Sequence, residues 1–178
     1  MRTSVRVVDL TPSQKGAIAE AEVAAAAIRL GLVVSRPLCE GARYDLIIDN
    51  GHGVLRVQCK YAQHLGDVLS LRLRTNRHTP GRGYVSTSYR AEEVDAIAAY
   101  SPHTDRCYVI PIERVNGRKN LFLRLAPPKN NQALGIMWAA DYELGAVAQL
   151  GERLTGSQEA EGSSPASSTT GECTETPA

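Results

Sequence analysis

Asp45, Gln58 and Lys60 are the residues whose types and spacing could do chemistry together. Asp45 opens the run Tyr44-Asp45-Leu46-Ile47-Ile48-Asp49, and Gln58 and Lys60 lie in a second apolar run over residues 54–61. Asn50-Gly51-His52-Gly53 separates the two, and apolar runs around an Asn-Gly predict a β-hairpin. With a turn from Asn50 to Gly53, Asp49 faces Val54 and Asp45 faces Gln58. A two-residue turn instead puts Asp45 opposite Arg56, on the same side of the sheet. Strand side chains alternate, so Arg56, Gln58 and Lys60 share one face while Leu55, Val57 and Cys59 take the other. Directly opposed Cβ atoms lie about 5 Å apart and diagonal ones roughly 7–8 Å, so Asp45, Gln58 and Lys60 can reach one small ligand.

A hard cation such as Mg²⁺ (or Mn²⁺) takes oxygen from one or two carboxylates, carbonyls and water. Asp45 supplies charge, the Gln58 amide a neutral oxygen, and the backbone carbonyl of Cys59 lies between them. Lys60 beside such an ion could orient or help deprotonate a water, or stabilise charge on a phosphate. A second carboxylate would complete the set, and Glu20 is the candidate. A polar hairpin face is more often a solvated sheet edge, and Glu20 fits a surface position equally well; the surface reading is preferred for Glu22. These residue types alone leave both readings open.

The elements that must position them follow from periodicity and capping. Thr11-Pro12-Ser13 offers a helix start, and Gly31 a stop, for a helix over residues 14–30. Its interior is mostly alanine, with one stripe at Ala17, Glu20, Ala21, Ala24 and Ile28, taken as the sheet-facing one. Strands are predicted over 32–35, 44–49, 54–61, 67–74, 107–111 and 122–125, with loops over 36–43 and 75–83 and a short helix or turn over 92–99. A helix followed by strands indicates one α/β or α+β domain over 1–145. Ile136, Met137 and Trp138 read as the last packed segment.

The order of the segments carries a resemblance. Lys15-Gly16-Ala17-Ile18-Ala19-Glu20, Gly31-x-x-Val34-x-x-Pro37, Tyr44 to Asp49 and Arg56-Val57-Gln58-Cys59-Lys60 resemble the PD-(D/E)XK nuclease superfamily. More narrowly they resemble the group that includes cyanobacterial intron-encoded homing endonucleases, in which Gln replaces the second acidic residue. Glu93 to Tyr100 and Tyr108-Val109-Ile110-Pro111 continue the similarity, which covers about residues 14–126. It implies a restriction-endonuclease-like core, a central mixed sheet flanked by helices. It also implies metal-dependent hydrolysis of DNA phosphodiesters, with Glu20, Asp45, Gln58 and Lys60 at the active-site positions, and a dimer or tetramer that could match a two-fold symmetric site. The alternatives are a Holliday-junction-resolvase-like nuclease and a catalytically silent DNA-binding protein of the same fold.

Charge bears on the partner. The chain of 178 residues has a formal net charge of only +1, which argues against DNA if charge is spread evenly. It is not: residues 1–146 carry 19 Lys+Arg and 14 Asp+Glu, and residues 147–178 one Arg and five Glu. Arg72, Arg74, Arg77, His78 and Arg82 cluster on and after the fourth predicted strand, where they could neutralise phosphates or simply solubilise a surface. Arg114, Arg118 and Lys119 form a second, weaker group, and Tyr84 and Tyr89 could touch bases or fill the core edge. His52 and His103 read as loop histidines without a second histidine at a fitting spacing.

The remaining features set context. Cys39, Cys59, Cys107 and Cys173 make no C-x-x-C pair, so a structural zinc site is not expected. The longest apolar run, Val23 to Ile28, is too short to cross a membrane, and a reduced, cytoplasmic protein is the expectation. Residues 146–178 form an acidic Ser/Thr-rich tail expected to be disordered. Its Val147-Ala148-Gln149-Leu150-Gly151-Glu152 and Gly162-Ser163-Ser164-Pro165 resemble translated arms of a bacterial tRNA gene, suggesting a reading frame that runs into an attachment site for a mobile element.

Overall fold

The computed structural model describes residues 9–39, 41–79, 83–115, 117–127 and 135–145, with backbone alone at 75–79 and 84–86. The tail over 146–178, Arg82, and the side chains of Arg77, His78 and Tyr84 lie outside the described residues. The chain opens with helix α1 (Pro12–Arg29), where Thr11 and Gln14 form a capping box and Pro12 takes the first turn. Gly31 follows at φ +81°, a backbone conformation that costs glycine nothing. Strands β1 (Val33–Ser35), β2 (Leu46–Asp49) and β3 (Val54–Tyr61) make an antiparallel meander. Strands β4 (Gln63–Leu65), β5 (Val68–Arg72), β6 (Arg74–Thr79) and β7 (Gly83–Ser88) follow. The described residues close with β8 (Ala96–Ser101), β9 (Arg106–Pro111), the short helix α2 (Ile112–Val115), β10 (Asn120–Arg124) and a 3₁₀ turn at Ala139–Tyr142.

The central sheet has the order β1-β2-β3-β8-β9, with β3 and β8 parallel and the other neighbours antiparallel. Helix α1 covers one face, its Val23 and Ala27 packing with Leu46, Ile48, Val57, Cys59, Ala96, Ala98 and Val109. A three-stranded sheet, β10-β5-β4, covers the other face through Leu69, Leu71, Leu121 and Leu123, which meet Ile97, Ala99, Tyr108 and Ile110. The expected central mixed sheet is therefore present, with a helix on one side and a second sheet on the other. Among the described residues no helix is long and apolar enough to cross a membrane.

Several elements differ from the sequence-based expectation. The stripe of α1 that faces the sheet is Ala19, Val23 and Ala27, whereas Ala17, Ala21 and Ile28 are exposed and Glu20 sits at the rim. An alanine-rich helix carries small apolar groups all round, so the partner sheet rather than periodicity selects the seam. Residues 92–99 are not a helix: a turn ends at Glu93, and Ala96–Ser101 is a central strand. Its alanines favour a helix in isolation, but they pair with β3 and β9 and are buried on both faces, and tertiary context overrides propensity. The predicted fourth strand divides into β5 and β6 at Leu73, and the predicted loop over 75–83 is largely the β6–β7 hairpin. Strand β4 was not anticipated from the sequence, its side chains all being exposed.

Arg56 ties the turn before β8 to β3. Its guanidinium makes two bonds to the Asp95 carboxylate, at 3.0 and 2.8 Å, and reaches the carbonyls of Glu92 and Ala91. The Arg56 side chain and main-chain N–H, bonded to Asp95, hold that carboxyl below the usual carboxylate range. A depressed carboxyl contributes stability above its unfolded pKa, about 3.9, and loses it as pH falls through its folded value. Asp95→Asn is expected to cost roughly 1 kcal/mol at neutral pH, since the pair is half-exposed, and to flatten the acid limb of thermal unfolding below about pH 4. A variant with the wild-type acid limb would show that the pair contributes nothing.

Candidate active site

The hairpin register is the one a four-residue turn dictates. Asp49 pairs with Val54 and Leu46 with Val57, and Asp45 N–H donates to the Val57 carbonyl at 2.9 Å, which sets Asp45 opposite Gln58. The turn is held by its own side chains: Asn50 Oδ1 accepts from the N–H groups of His52 and Gly53, and Asp49 Oδ1 from Gly51.

Asp45 is half-buried, and its Oδ2 accepts from the Cys59 N–H at 2.7 Å and from the amide of Gln58. The Gln58 amide nitrogen also lies 3.4 Å from the Cys59 carbonyl, so all three groups form one polar knot inside a largely apolar sheet. Burial pushes the Asp45 carboxyl up, against the Cys59 N–H and the charges of Lys60 and Arg36. Glu20 reaches this region from the rim of α1. Burial and the Asp45 charge push its carboxyl up, and Arg36, 2.6 Å away, pulls it down. The Cys59 thiol is pushed strongly up by burial and then by Asp45 and Glu20, so it stays protonated and is no nucleophile.

Above the two carboxylates is a cleft of about 240 Å³, lined by Glu20, Arg36, Pro37, Tyr44, Asp45 and the loop between them. Two carboxylates whose charged forms are disfavoured, beside a neutral amide and a carbonyl, are the donor set a divalent cation stabilises. The residues present therefore fit a hard divalent cation. Coordination through Gln58 would need its amide turned over, since the nitrogen now faces Asp45.

Lys60 is on the same strand, and its Nζ donates to the phenol of Tyr89 at 2.7 Å. The structure thus places Glu20 and Asp45 on one cleft and bonds Gln58 and the Cys59 N–H to Asp45, while Lys60, on the same strand as Gln58, does not line the cleft. The sequence reading leaves out Arg36 and Arg43, and has Tyr89 only as touching bases or filling the core edge. For Arg36 a signal existed, a cation opening the loop that leads to Asp45. Tyr89 is buried and belongs to the core. His64 and His103 stack at 3.5 Å, a pairing that sequence spacing concealed, but they do not line the cleft.

Of the basic cluster, Arg72 and Arg74 are exposed while Leu69, Leu71 and Leu73 are buried, as their alternation implies. The Arg77 backbone pairs with Val85 in the β6–β7 hairpin. Arg114 and Lys119 are exposed, and Arg118 leans on Met137.

No curated protein matches the sequence. A solved structure of a bacterial homing endonuclease, I-Ssp6803I, has the same fold, with a TM-score of 0.66 and 21% sequence identity over 84% of this chain and 99% of that one. The family described as PD-(D/E)XK endonuclease matches residues 10–145, three-quarters of the chain and every element described above. The protein belongs to the PD-(D/E)XK endonuclease family, with a mixed α+β, restriction-endonuclease-like fold.

Proposed function

We propose that this protein is a divalent-metal-dependent endonuclease that hydrolyses DNA phosphodiesters, homing-endonuclease-like or carried by a mobile element. The observation that carries the reading is the meeting of Glu20 and Asp45 beneath one open cleft, with Gln58 and Lys60 on the adjoining strand, in a member of a nuclease family. Glu20, Asp45, Gln58 through its side-chain oxygen, and the Cys59 carbonyl would hold Mg²⁺ or Mn²⁺. The bound ion supplies charge neutralisation and Lewis-acid polarisation at the phosphoryl group. Asp45 is fixed for this by the Cys59 N–H, which leaves its second oxygen free of any bond to Cys59 or Gln58. Lys60 places a positive charge where the phosphorane-like transition state accumulates negative charge, or orients the attacking water. Arg36 is paired with Glu20 through one of its two carboxylate oxygens.

Arg72, Arg74, Arg77 and Arg82 would neutralise DNA phosphates along and beside β5–β7, giving an affinity that falls steeply with salt. A dimer or tetramer in the cytoplasm, matching a symmetric site, is part of the same reading.

Purified full-length protein incubated with supercoiled plasmid and with four-way junctions is the test. Cleavage of either substrate is expected with Mg²⁺ or Mn²⁺, none with EDTA, and a loss of at least about 10²-fold in Lys60→Ala. Junction-only cleavage would indicate a resolvase-like enzyme. DNA binding without cleavage would indicate a silent protein, and undiminished cleavage by Lys60→Ala would overturn the site.

A further inference from the structure

The ammonium of Lys60 is held by a phenol. Tyr89 Oη accepts from Lys60 Nζ at 2.7 Å, and Tyr89 itself is only 3% exposed. A second cation steadies the ring from outside: the Arg43 guanidinium lies 5.0 Å from its centre. Arg43 is in turn anchored at several points, donating to the Ser88 carbonyl at 2.9 Å, the Thr87 hydroxyl at 3.1 Å and the Glu93 carboxylate at 3.0 Å. Its buried Nε meets no acceptor among the described residues, a cost that a purely solubilising arginine would avoid by turning outward.

We propose that Tyr89, braced by Arg43, is the positioning residue that fixes the Lys60 ammonium on the strand that carries Gln58. This rests on the nuclease reading of Lys60. A lysine side chain has four rotatable bonds and surrenders them only against a firm partner. Glu20 is bonded to Arg36, and Asp45 to the Cys59 N–H and the Gln58 amide, whereas Nζ donates to the phenol. An ammonium has no lone pair, so the phenol must accept from Lys60, and the choice of tyrosine over phenylalanine at this buried position has a physical reason. Tyr89 directly follows β7, and Arg43 grips the last two residues of that strand, so the base of the β6–β7 hairpin and the reactive strand β3 are joined through one ring.

The variant that isolates the contact is Tyr89→Phe, which keeps the ring and its packing and removes only the acceptor. Two readouts are needed, on the full chain. In the metal-free protein, ¹³C relaxation of the Lys60 side chain should show a restricted Cε in the wild type and a freely rotating one in Tyr89→Phe. In single-turnover plasmid cleavage with Mg²⁺, the rate should fall about 10- to 100-fold, as for loss of a bond to a charged group, with DNA affinity within about twofold of wild type. Arg43→Gln is the second variant, retaining the phenol but not its brace, and both readouts should move in the same direction by less. An equally mobile Lys60 in wild type and Tyr89→Phe, or an unchanged cleavage rate in Tyr89→Phe, overturns the proposal. Failure of the underlying reading looks different: Lys60→Ala then cleaves as fast as the wild type.

Discussion

Asp45→Asn is expected to lose cleavage by at least about 10²–10³-fold while leaving the metal-free protein as stable as the wild type or more stable. Both halves follow from the same burial. The Asp45 carboxyl is raised because its charged form is desolvated, more than the Cys59 N–H, Lys60 and Arg36 compensate. For a carboxyl whose folded pKa is raised, the folded state binds the proton more tightly than the unfolded chain. Its charge therefore destabilises the fold above the folded pKa, and that cost disappears as pH falls through it. Asparagine removes the charge yet keeps an oxygen to accept from the Cys59 N–H, so the polar knot survives. Thermal unfolding at neutral pH in EDTA checks the stability half. Added Mg²⁺ should raise the midpoint of the wild type and leave Asp45→Asn unmoved, because only a protein that binds the ion is stabilised by it. A variant that unfolds several degrees lower in EDTA, or that still cleaves, would show that Asp45 is a structural carboxylate. The opposite pH dependence of Asp95, whose carboxyl is lowered by Arg56, makes the two positions internal controls for one another.

The largest stability effect is expected in the second sheet. Leu121→Ala should cost about 2–5 kcal/mol, whereas Phe122→Ala should cost about 1 kcal/mol or less. The ladder pairs Leu121 with Leu71 and Phe122 with Ser70, so the two residues take opposite faces. Leu121 is 1% exposed and Phe122 53%, although Phe122 is the only phenylalanine of the chain and the larger hydrophobe. Truncating Leu121 leaves a cavity against Leu69, Leu71 and Leu123, which pack beneath the central sheet. At roughly 2–4 °C per kcal/mol for a domain of this size, the two variants separate clearly in thermal unfolding. Equal losses, or a larger loss for Phe122→Ala, would mean that the register of β5 and β10 is shifted by one residue. Tyr89 belongs to the same core, so Leu121→Ala should also loosen the support of Lys60.

How much was legible beforehand depended on how local each feature is. The β2–β3 hairpin was readable from its Asn-Gly turn and a side-chain period of two, which put Asp45, Gln58 and Lys60 on one side of the sheet in either of two registers. The structure chose the four-residue turn, which sets Asp45 opposite Gln58, with Lys60 two positions on. The start of α1 was likewise readable, from Thr11 and Pro12. Dividing the net charge exposed a basic body behind a neutral average.

Tertiary structure decided the rest. Glu20 reaches the vicinity of Asp45 from the edge of a helix whose buried seam is Ala19, Val23 and Ala27, and an all-round alanine surface cannot announce which stripe will be chosen. Residues Ala96–Ser101 are a strand because β3 and β9 hydrogen-bond to both edges, a contact no window of local propensity contains. The brace on Lys60 joins residues 43, 60 and 89 from three separate segments. Local rules thus determine which side chains share a face, since backbone geometry alone sets that. Which of them meet across the core is settled by the packing of one helix and two sheets, where burial outweighs every local preference.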